Sequence, residues 1–301
     1  MKNSYKSFSA KAVQHVYQRS KDKGVLFYDD IDRLVFLSID SVIAQRYGVK
    51  VLGISIMFTH LHKSFLVRLE KQMSKYMQDS TSIFARAYNY RHKRKGDVFY
   101  PRFGRAGKRQ EKKIREHLAY VYNNHVEKGL CKRAIDERWC FLAYAKSSSP
   151  FSKPIKMENI SKRLKAGLRL IDRRKEAGKY LKYSEVIKAM RGLSPEEREQ
   201  FIDYAISKYL HIDFDAVMAF YGGFDAMVTA FDSSVGAERE MKEEYYSFSD
   251  QYYKMIGDIL AKSKWDGRVL SSKKAELKEL AQDLYHHHNI EVNAIKKYLH
   301  I

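Results

Sequence analysis

Two histidines separated by one leucine lie inside the longest apolar stretch of the chain, at His60-Leu61-His62. Successive side chains of a β-strand point to opposite faces, so a strand here would place both imidazoles on one face and Leu61 on the other. Two neutral imidazoles on one face can bind a divalent cation through their ring nitrogens. Because two imidazoles leave a cation under-coordinated, the pair predicts a metal site only with a further ligand. The alternative is a pair of ordinary core or surface histidines.

A tyrosine and an asparagine four positions apart share one face of a predicted helix over 110–128. The apolar stripe of this helix comprises Ile114, Leu118, Val121 and Tyr122. At about 100° per residue, Tyr120 falls almost opposite that stripe, beside His117 and Asn124. We therefore predict that Tyr122 packs in the core and that Tyr120 is available for chemistry, with an ordinary surface tyrosine as the alternative. The side-chain oxygen of Asn124 suits hard cations such as Mg²⁺ or Mn²⁺ and is the predicted third ligand.

These residue types together predict tyrosine-mediated cleavage of a phosphodiester. A free phenol has a pKa of about 10 and needs help to attack phosphorus. A divalent cation on the scissile phosphate reduces its negative charge and aligns it for in-line attack, and nearby Lys or Arg favours the phenolate. The product would be a covalent phosphotyrosine, which keeps the phosphodiester energy for rejoining.

The positive charge of the chain is concentrated in the half that carries these residues. The formal net charge is +20; residues 1–150 hold 30 Lys and Arg against 13 Asp and Glu, and residues 151–301 hold 26 against 23. A basic domain predicts a polyanionic partner, and nucleic acid is the usual one. The alternative is a basic surface that serves solubility.

A basic, glycine-containing segment with interleaved aromatic residues precedes the tyrosine helix, over 91–109. Positive charge along a backbone and aromatic faces for stacking are typical of single-strand binding. The alternative is a solvated basic loop. The predicted DNA-binding residues are Arg91, Lys93, Arg94, Lys95, Phe99, Tyr100, Arg102, Phe103, Arg105, Lys108 and Arg109.

The periodicity of residues 1–150 predicts an α+β unit with a ferredoxin-like antiparallel sheet. We expect strands at 12–19, within 49–67 and around 139–144, and helices from Asp29 to about Arg46, at 71–90 and at 110–128. The 91–109 segment is expected to be a loop with at most one short strand. Residues 147–154 predict a linker to a second, all-helical domain over 151–301. Its last two helices, within 273–299, are spaced like a helix-turn-helix that could bind duplex DNA.

Other features of the sequence exclude several classes of protein. Cys131 and Cys140 are too few for a disulfide framework or a cysteine-based zinc site. The start of the chain is polar and basic rather than a signal peptide, and no apolar run approaches the roughly 20 residues that span a bilayer. We therefore expect a cytoplasmic protein with no membrane partner, either a monomer or a homodimer. His286–His288 is expected to be a polar turn.

With these residues in place, the sequence from Gln14 to Phe151 resembles the single-tyrosine HUH transposases of insertion sequences, and most closely their REP-associated tyrosine transposase branch. The matching motifs are HVYQR at 15–19, VLFYDDIDRLVFL at 25–37, IMFTHLH at 56–62 and AYVYNNHVEKGL at 119–130. His125 stands where the family usually has proline.

The resemblance implies a ferredoxin-like palm with Tyr120 as the nucleophile and His60, His62 and Asn124 as ligands of Mg²⁺ or Mn²⁺. It implies cleavage of single-stranded DNA at or near a hairpin, with a 5′-phosphotyrosine bond and a free 3′-OH. Two alternatives stay open. One is a hairpin-binding protein or repressor that has lost cleavage. The other is a rolling-circle initiator or relaxase, although those more often carry a third metal histidine or a second tyrosine.

Overall fold

The computed structural model describes residues 8–236, 249–263, 269 and 272–301. Its first elements are β1 (Val13–Arg19), α1 (Asp30–Tyr47), β2 (Lys50–Ile56), β3 (His60–Leu66), α2 (Glu70–Arg91), β4 (Gly104–Lys108) and α3 (Glu111–Glu127). Three 3-10 turns follow, at Ala134–Asp136, Arg138–Cys140 and Leu142–Ala145. The later helices of the described residues are α4 (Lys162–Glu176), α5 (Tyr183–Met190), α6 (Pro195–Tyr209), α7 (Phe214–Ala219), α8 (Phe224–Ser233), α9 (Ser249–Ala261), α10 (Lys274–His286) and α11 (Val292–Leu299).

The four strands form one antiparallel sheet in the order β2-β3-β1-β4. With α1 between β1 and β2, and α2 between β3 and β4, this is the ferredoxin-like arrangement. The predicted α+β fold class is therefore confirmed, as is the helical character of the C-terminal part. β3 and β1 are the two central strands, so side chains on them are shielded from solvent more easily than those on β2 or β4.

The ends of the helices follow the local capping signals of the sequence. The Asp29 side chain accepts a hydrogen bond from the backbone N–H of Asp32 at 2.9 Å and so caps α1, as predicted. Gly48 ends the same helix in the left-handed conformation at φ 60°. Two residues beyond α3, Gly129 has a φ of 68°, a left-handed conformation that favours glycine where a helix ends.

The fourth strand of the sheet differs from the one that the sequence predicts. The apolar run around 139–144 is not a strand but two 3-10 turns, and Phe141 between them has a positive φ of 67°. The edge position is filled instead by β4, which is the one short strand that the prediction allowed within 91–109 and whose sequence GRAGK has no apolar alternation. An edge strand needs only backbone hydrogen bonds to one neighbour, so its composition carries little signal. The run at 139–144 is buried against α3 and β2 because it is apolar, not because it is extended.

The hydrophobic core continues past residue 150. One cluster of buried side chains extends from Val13 to Phe231 and includes residues of α4, α5, α6 and α8. A hydrogen bond also joins the two parts of the chain, because the backbone N–H of Leu181 donates to the Ser38 hydroxyl at 3.0 Å. The chain at 146–161 is irregular, as predicted for the linker, and the backbone N–H of Phe151 donates to Asp203 at 2.9 Å. The division into two domains at residue 150 stays a prediction.

The last three described helices form a second, smaller cluster that packs on the loop after β1. Val25 belongs to this cluster together with residues of α9, α10 and α11. The Tyr28 hydroxyl donates to the carbonyl of Tyr298 at 2.7 Å. α10 and α11 coincide with the helices predicted at the C-terminus, and Ala294, Ile295, Tyr298 and Leu299 of α11 are buried. None of the helices in the described ranges is long and apolar enough to cross a membrane.

Candidate active site

Strand β3 separates two kinds of side chain onto opposite faces of the sheet. On one face Phe65 packs edge-on against Tyr76 of α2, and the buried Lys63 pairs with Asp40 of α1. On the other face, His60 and His62 point toward α3, their ring centroids 5.0 Å apart. The alternation predicted for the histidine pair is what the strand shows, because positions two apart share a face.

Helix α3 lies over this histidine face and brings Tyr120 to His62. The Ser64 hydroxyl and the Nε2 atom of His117 are 2.6 Å apart, which anchors the helix over β3. One turn further, the Tyr120 ring meets the His62 ring edge-on, with 5.4 Å between their centroids. Asn124, a turn beyond Tyr120, is also buried. The helical spacing therefore places Tyr120, His117 and Asn124 on one side of α3, as predicted, but this side faces the sheet rather than solvent.

The two tyrosines of α3 differ in their surroundings. The Tyr122 hydroxyl donates to the carbonyl of Leu52 at 2.9 Å, and its ring stacks on Phe231 with centroids 5.0 Å apart. Tyr122 is thus a packing residue, as predicted. Tyr120 is only 5% exposed, which differs from the surface position that the helical wheel indicates. The reason is that this side of α3 packs on the sheet, where the Tyr120 ring lies 5.4 Å from the His62 ring and 6.1 Å from the His15 ring, measured between centroids.

Two further imidazoles lie beside His62, and sequence reasoning missed both as site residues. The Nε2 atom of His15 in β1 is 3.1 Å from the Nδ1 atom of His62, and their rings are stacked at 5.4 Å. The His15 ring is also 4.4 Å from that of His117 and 6.1 Å from that of Tyr120. The signal was present in the alternation of β1, which places His15 on one face with Tyr17, but only strand pairing shows that this face is the one that carries His62.

Burial sets the protonation of these histidines. Burial, reinforced by His117, Lys128 and His125, lowers the pKa of His62 to about 3. Burial lowers the pKa of His15 well below its ordinary value, with His62 and Lys108 acting in the same direction. Both imidazoles are therefore neutral near pH 7, and a neutral imidazole keeps a ring nitrogen lone pair that can bind a metal or accept a proton.

The donors around Tyr120 fit a divalent cation only if Asn124 takes part. Within the described residues, no group of three or more His, Cys, Asp or Glu side chains is arranged to hold a metal ion. The Nδ1 atom of His62 is engaged by His15, and that of His60 lies 3.0 Å from the Thr59 hydroxyl. Each histidine would thus offer its Nε2 atom, in the manner of metal-bound imidazoles whose other nitrogen is held by a neighbour. The amide nitrogen of Asn124 is buried without a hydrogen-bond partner among the described residues.

The residues predicted to bind DNA fall into two groups. Arg91 and Phe99 are internal: Arg91 pairs with Asp29 and Asp32, and Phe99 packs against Phe84 with ring centroids 5.9 Å apart. The others reach the surface to different degrees. Lys93, Lys95, Tyr100, Arg102 and Arg109 are exposed, and Arg94, Phe103, Arg105 and Lys108 are half-buried. Arg105 forms an ion pair with Glu70, so its charge is partly compensated.

Comparisons with known proteins add little to this geometry. No family model matches the sequence, and no curated protein matches it. A solved structure of a REP-associated tyrosine transposase bound to a REP hairpin is similar to 46% of this chain and 81% of its own, at 16% sequence identity and a TM-score of 0.40. A match of this strength leaves the function to be argued from the residues of the chain itself.

Proposed function

We propose that this protein cleaves and rejoins single-stranded DNA at hairpins, with Tyr120 as the nucleophile. The observation that carries the proposal is the edge-on contact between the Tyr120 and His62 rings at 5.4 Å, on the face that also holds His60. A phenol on a rigid helix beside neutral imidazoles is suited to attack a phosphate bound at those imidazoles. The +17 balance of Lys and Arg over Asp and Glu in residues 1–150 supports a nucleic acid as the substrate.

In the proposed reaction the phenol oxygen of Tyr120 forms a bond to phosphorus while the bond from phosphorus to the 3′ oxygen breaks. This gives a 5′-phosphotyrosine and a free 3′-OH, and attack by a 3′-OH in the reverse direction rejoins a strand. The rigid position of α3 over the sheet fixes the phenol, so little freedom is lost on the way to the reacting geometry. The positive half of the chain holds the strand through its phosphates.

The proposed ligands of Mg²⁺ or Mn²⁺ are His60, His62 and Asn124. The neutral state of His62 and the buried position of Asn124 one turn beyond Tyr120 on α3 support them. When bound, such an ion reduces the negative charge on the phosphate oxygens. His15 holds the other nitrogen of His62 and so fixes the orientation of that ring.

Two observations favour other functions. Tyr120 is 5% exposed, which favours a hairpin-binding protein or repressor without cleavage, because a buried phenol reaches a phosphate only if its surroundings open. His15 lies beside His62 and supplies a third histidine at the site, which favours a rolling-circle initiator or relaxase within the same chemistry. Both alternatives predict DNA binding, and only the first predicts no covalent product.

The covalent adduct separates cleavage from binding. The full-length protein is incubated with labelled single-stranded hairpin DNA and Mn²⁺, and the products are run on a denaturing gel. We expect an adduct with the wild-type protein, none with Tyr120→Phe, and DNA binding by both. Tyr122→Phe is the matched control, since it removes a hydroxyl from the same helix at a packing position. An adduct of normal intensity with Tyr120→Phe would refute the assignment, and no adduct with any variant that binds DNA would favour the hairpin-binding protein.

A further inference from the structure

Strand β1 presents two exposed side chains on the face of the sheet that holds the histidine pair. His15, Tyr17 and Arg19 alternate along this face, and their exposure increases toward the end of the strand. His15 is 1% exposed and Tyr17 is 37% exposed, and Arg19 is exposed as well. The face therefore opens from the buried histidines to solvent along β1.

The register of the sheet places each of these two residues directly opposite one of the histidines. Tyr17 pairs with His62, and Arg19 pairs with His60. Directly opposite residues of an antiparallel pair have Cβ atoms about 4.5–5.5 Å apart on the same face. The Tyr17 ring lies 6.4 Å from the His62 ring and 6.2 Å from the His15 ring, measured between centroids. A group bound at the histidine pair would thus have a phenol ring and a guanidinium as its neighbours.

The position of the Tyr17 ring depends on a glycine in the edge strand. Gly104 of β4 is the partner of Tyr17 on its other side, and a Cβ built on Gly104 would lie only 1.8 Å from a carbon of the Tyr17 ring. Only glycine therefore leaves room for the ring in this position. The ring is held between β4 and the histidines, while Tyr17 as a whole residue stays 37% exposed.

Arg19 carries a charge that no described carboxylate neutralises. Its guanidinium lies 4.7 Å from the centroid of the Tyr100 ring, and Tyr100 donates its backbone N–H to the Arg19 carbonyl at 2.9 Å. Among the described residues, no carboxylate lies within ion-pairing distance of Arg19. An aromatic ring thus orients the guanidinium and leaves its charge available for an anion.

We propose that Tyr17 and Arg19 form a nucleotide subsite beside the histidine pair. The nucleobase next to the scissile phosphate stacks on the Tyr17 ring, and a phosphate of the same strand pairs with Arg19. An open aromatic face beside an uncompensated guanidinium is the combination that holds single strands. Both are positioning residues, because they fix the strand so that the scissile phosphate lies at His60 and His62. The subsite rests on the proposed function, since its place follows from that of the scissile phosphate.

The test is equilibrium binding of a fluorescent single-stranded hairpin oligonucleotide to the full-length protein in the Tyr120→Phe background. We expect Tyr17→Ala to weaken binding about 5- to 150-fold, which is the range for loss of one base-stacking contact. Tyr17→Phe keeps the ring and should bind like the parent protein. Gly104→Ala should weaken binding although the phenol is intact, because the ring must move. Tyr90→Ala is the control, since Tyr90 lies on α2 rather than on the histidine face of the sheet and is 89% exposed.

The position of the stacked nucleobase and the charge of Arg19 are tested in separate experiments. Hairpin oligonucleotides that each contain one abasic nucleotide are bound to the parent protein and to Tyr17→Ala. The difference in affinity between the two proteins should vanish only when the abasic nucleotide is next to the cleavage position. Arg19→Gln should reduce the salt slope of binding by about 0.7, the value for one single-strand phosphate contact.

The two possible failures are distinguishable. If the parent protein binds the hairpin and the protein with Tyr120 intact forms the adduct, while Tyr17→Ala and Arg19→Gln bind within twofold of the parent, the subsite is wrong and the proposed function stands. If the folded parent protein binds no single-stranded or hairpin DNA, the proposed function fails, and the subsite fails with it. Circular dichroism of each variant confirms that the comparison is between folded proteins.

Discussion

Replacing Arg91 should destabilise the protein rather than remove a DNA contact, although the sequence places Arg91 in the basic segment. The Arg91 side chain is 9% exposed and its Nη1 atom donates to Asp29 at 3.0 Å and to Asp32 at 2.7 Å. Its guanidinium also lies 4.9 Å from the centroid of the Tyr183 ring. These contacts join the end of α2, the start of α1 and the start of α5.

The expected size of the effect follows from what remains around Asp32, whose side chain is fully buried. Breaking a buried ion pair by removing one partner costs about 3–5 kcal/mol, because the other charge is left uncompensated. Asp32 keeps hydrogen bonds from the Tyr28 backbone N–H at 3.0 Å and the Tyr183 hydroxyl at 2.8 Å. We therefore expect Arg91→Met to lower the free energy of unfolding by about 3 kcal/mol, the lower end of that range.

The pH dependence gives this prediction a second readout. Burial by itself would raise the pKa of Asp32, but Arg91, followed by His92 and Tyr183, outweighs it and holds the pKa below the ordinary value of 3.8. A carboxyl with a lowered pKa stabilises the folded state above its unfolded pKa and loses that contribution as the pH falls. Without Arg91 the pKa of Asp32 rises, so the stability difference between the wild type and Arg91→Met should shrink between pH 7 and pH 3.

Urea denaturation at both pH values measures the difference, and hairpin binding is measured where both proteins are folded. Lys95→Met is the matched control, because Lys95 is exposed in the same segment. We expect it to change stability by less than about 0.5 kcal/mol and to weaken DNA binding. The internal role of Arg91 would be refuted if Arg91→Met kept wild-type stability and lost as much affinity for the hairpin as Lys95→Met does.

Three further predictions concern the fold, the metal and the partner. A fragment that ends at Ser149 should not fold, because the α1 surface covered by α4–α6 becomes exposed; a cooperative urea transition of that fragment would instead support separate domains. His60→Ala should abolish Mn²⁺-dependent adduct formation, and an unchanged adduct would remove this ligand from the mechanism. Hairpin binding should weaken with salt by a log–log slope of about −0.7 per phosphate contact, and a slope near zero would mean that the basic surface faces another partner.

Much of the ferredoxin-like unit could be predicted from the sequence because its signals are local. The caps of α1 and the alternation of β3 depend on residues a few positions apart, so Asp29 and the His60–His62 pair were placed correctly. β4 could not be predicted from its composition, because an edge strand without apolar alternation is recognised only by the strand it pairs with. The apolar run at 139–144 was misassigned for the converse reason. A buried segment has the same apolar composition whether or not it is an extended strand.

The candidate site likewise has features that local sequence spacing determines and features that only the tertiary structure determines. Spacing alone determined that His60 and His62 share a face, and that Tyr120 and Asn124 share another, because these are properties of one strand and one helix. Only the tertiary structure decided that the two faces meet, that His15 and Tyr17 join them through the β1–β3 pairing, and that Tyr120 is buried against the sheet. It also decided that Arg91 pairs with the buried Asp32 while Lys93 and Lys95 lie on the surface. Such contacts join residues far apart in the chain, and a local sequence pattern does not indicate which distant side chains a residue will contact.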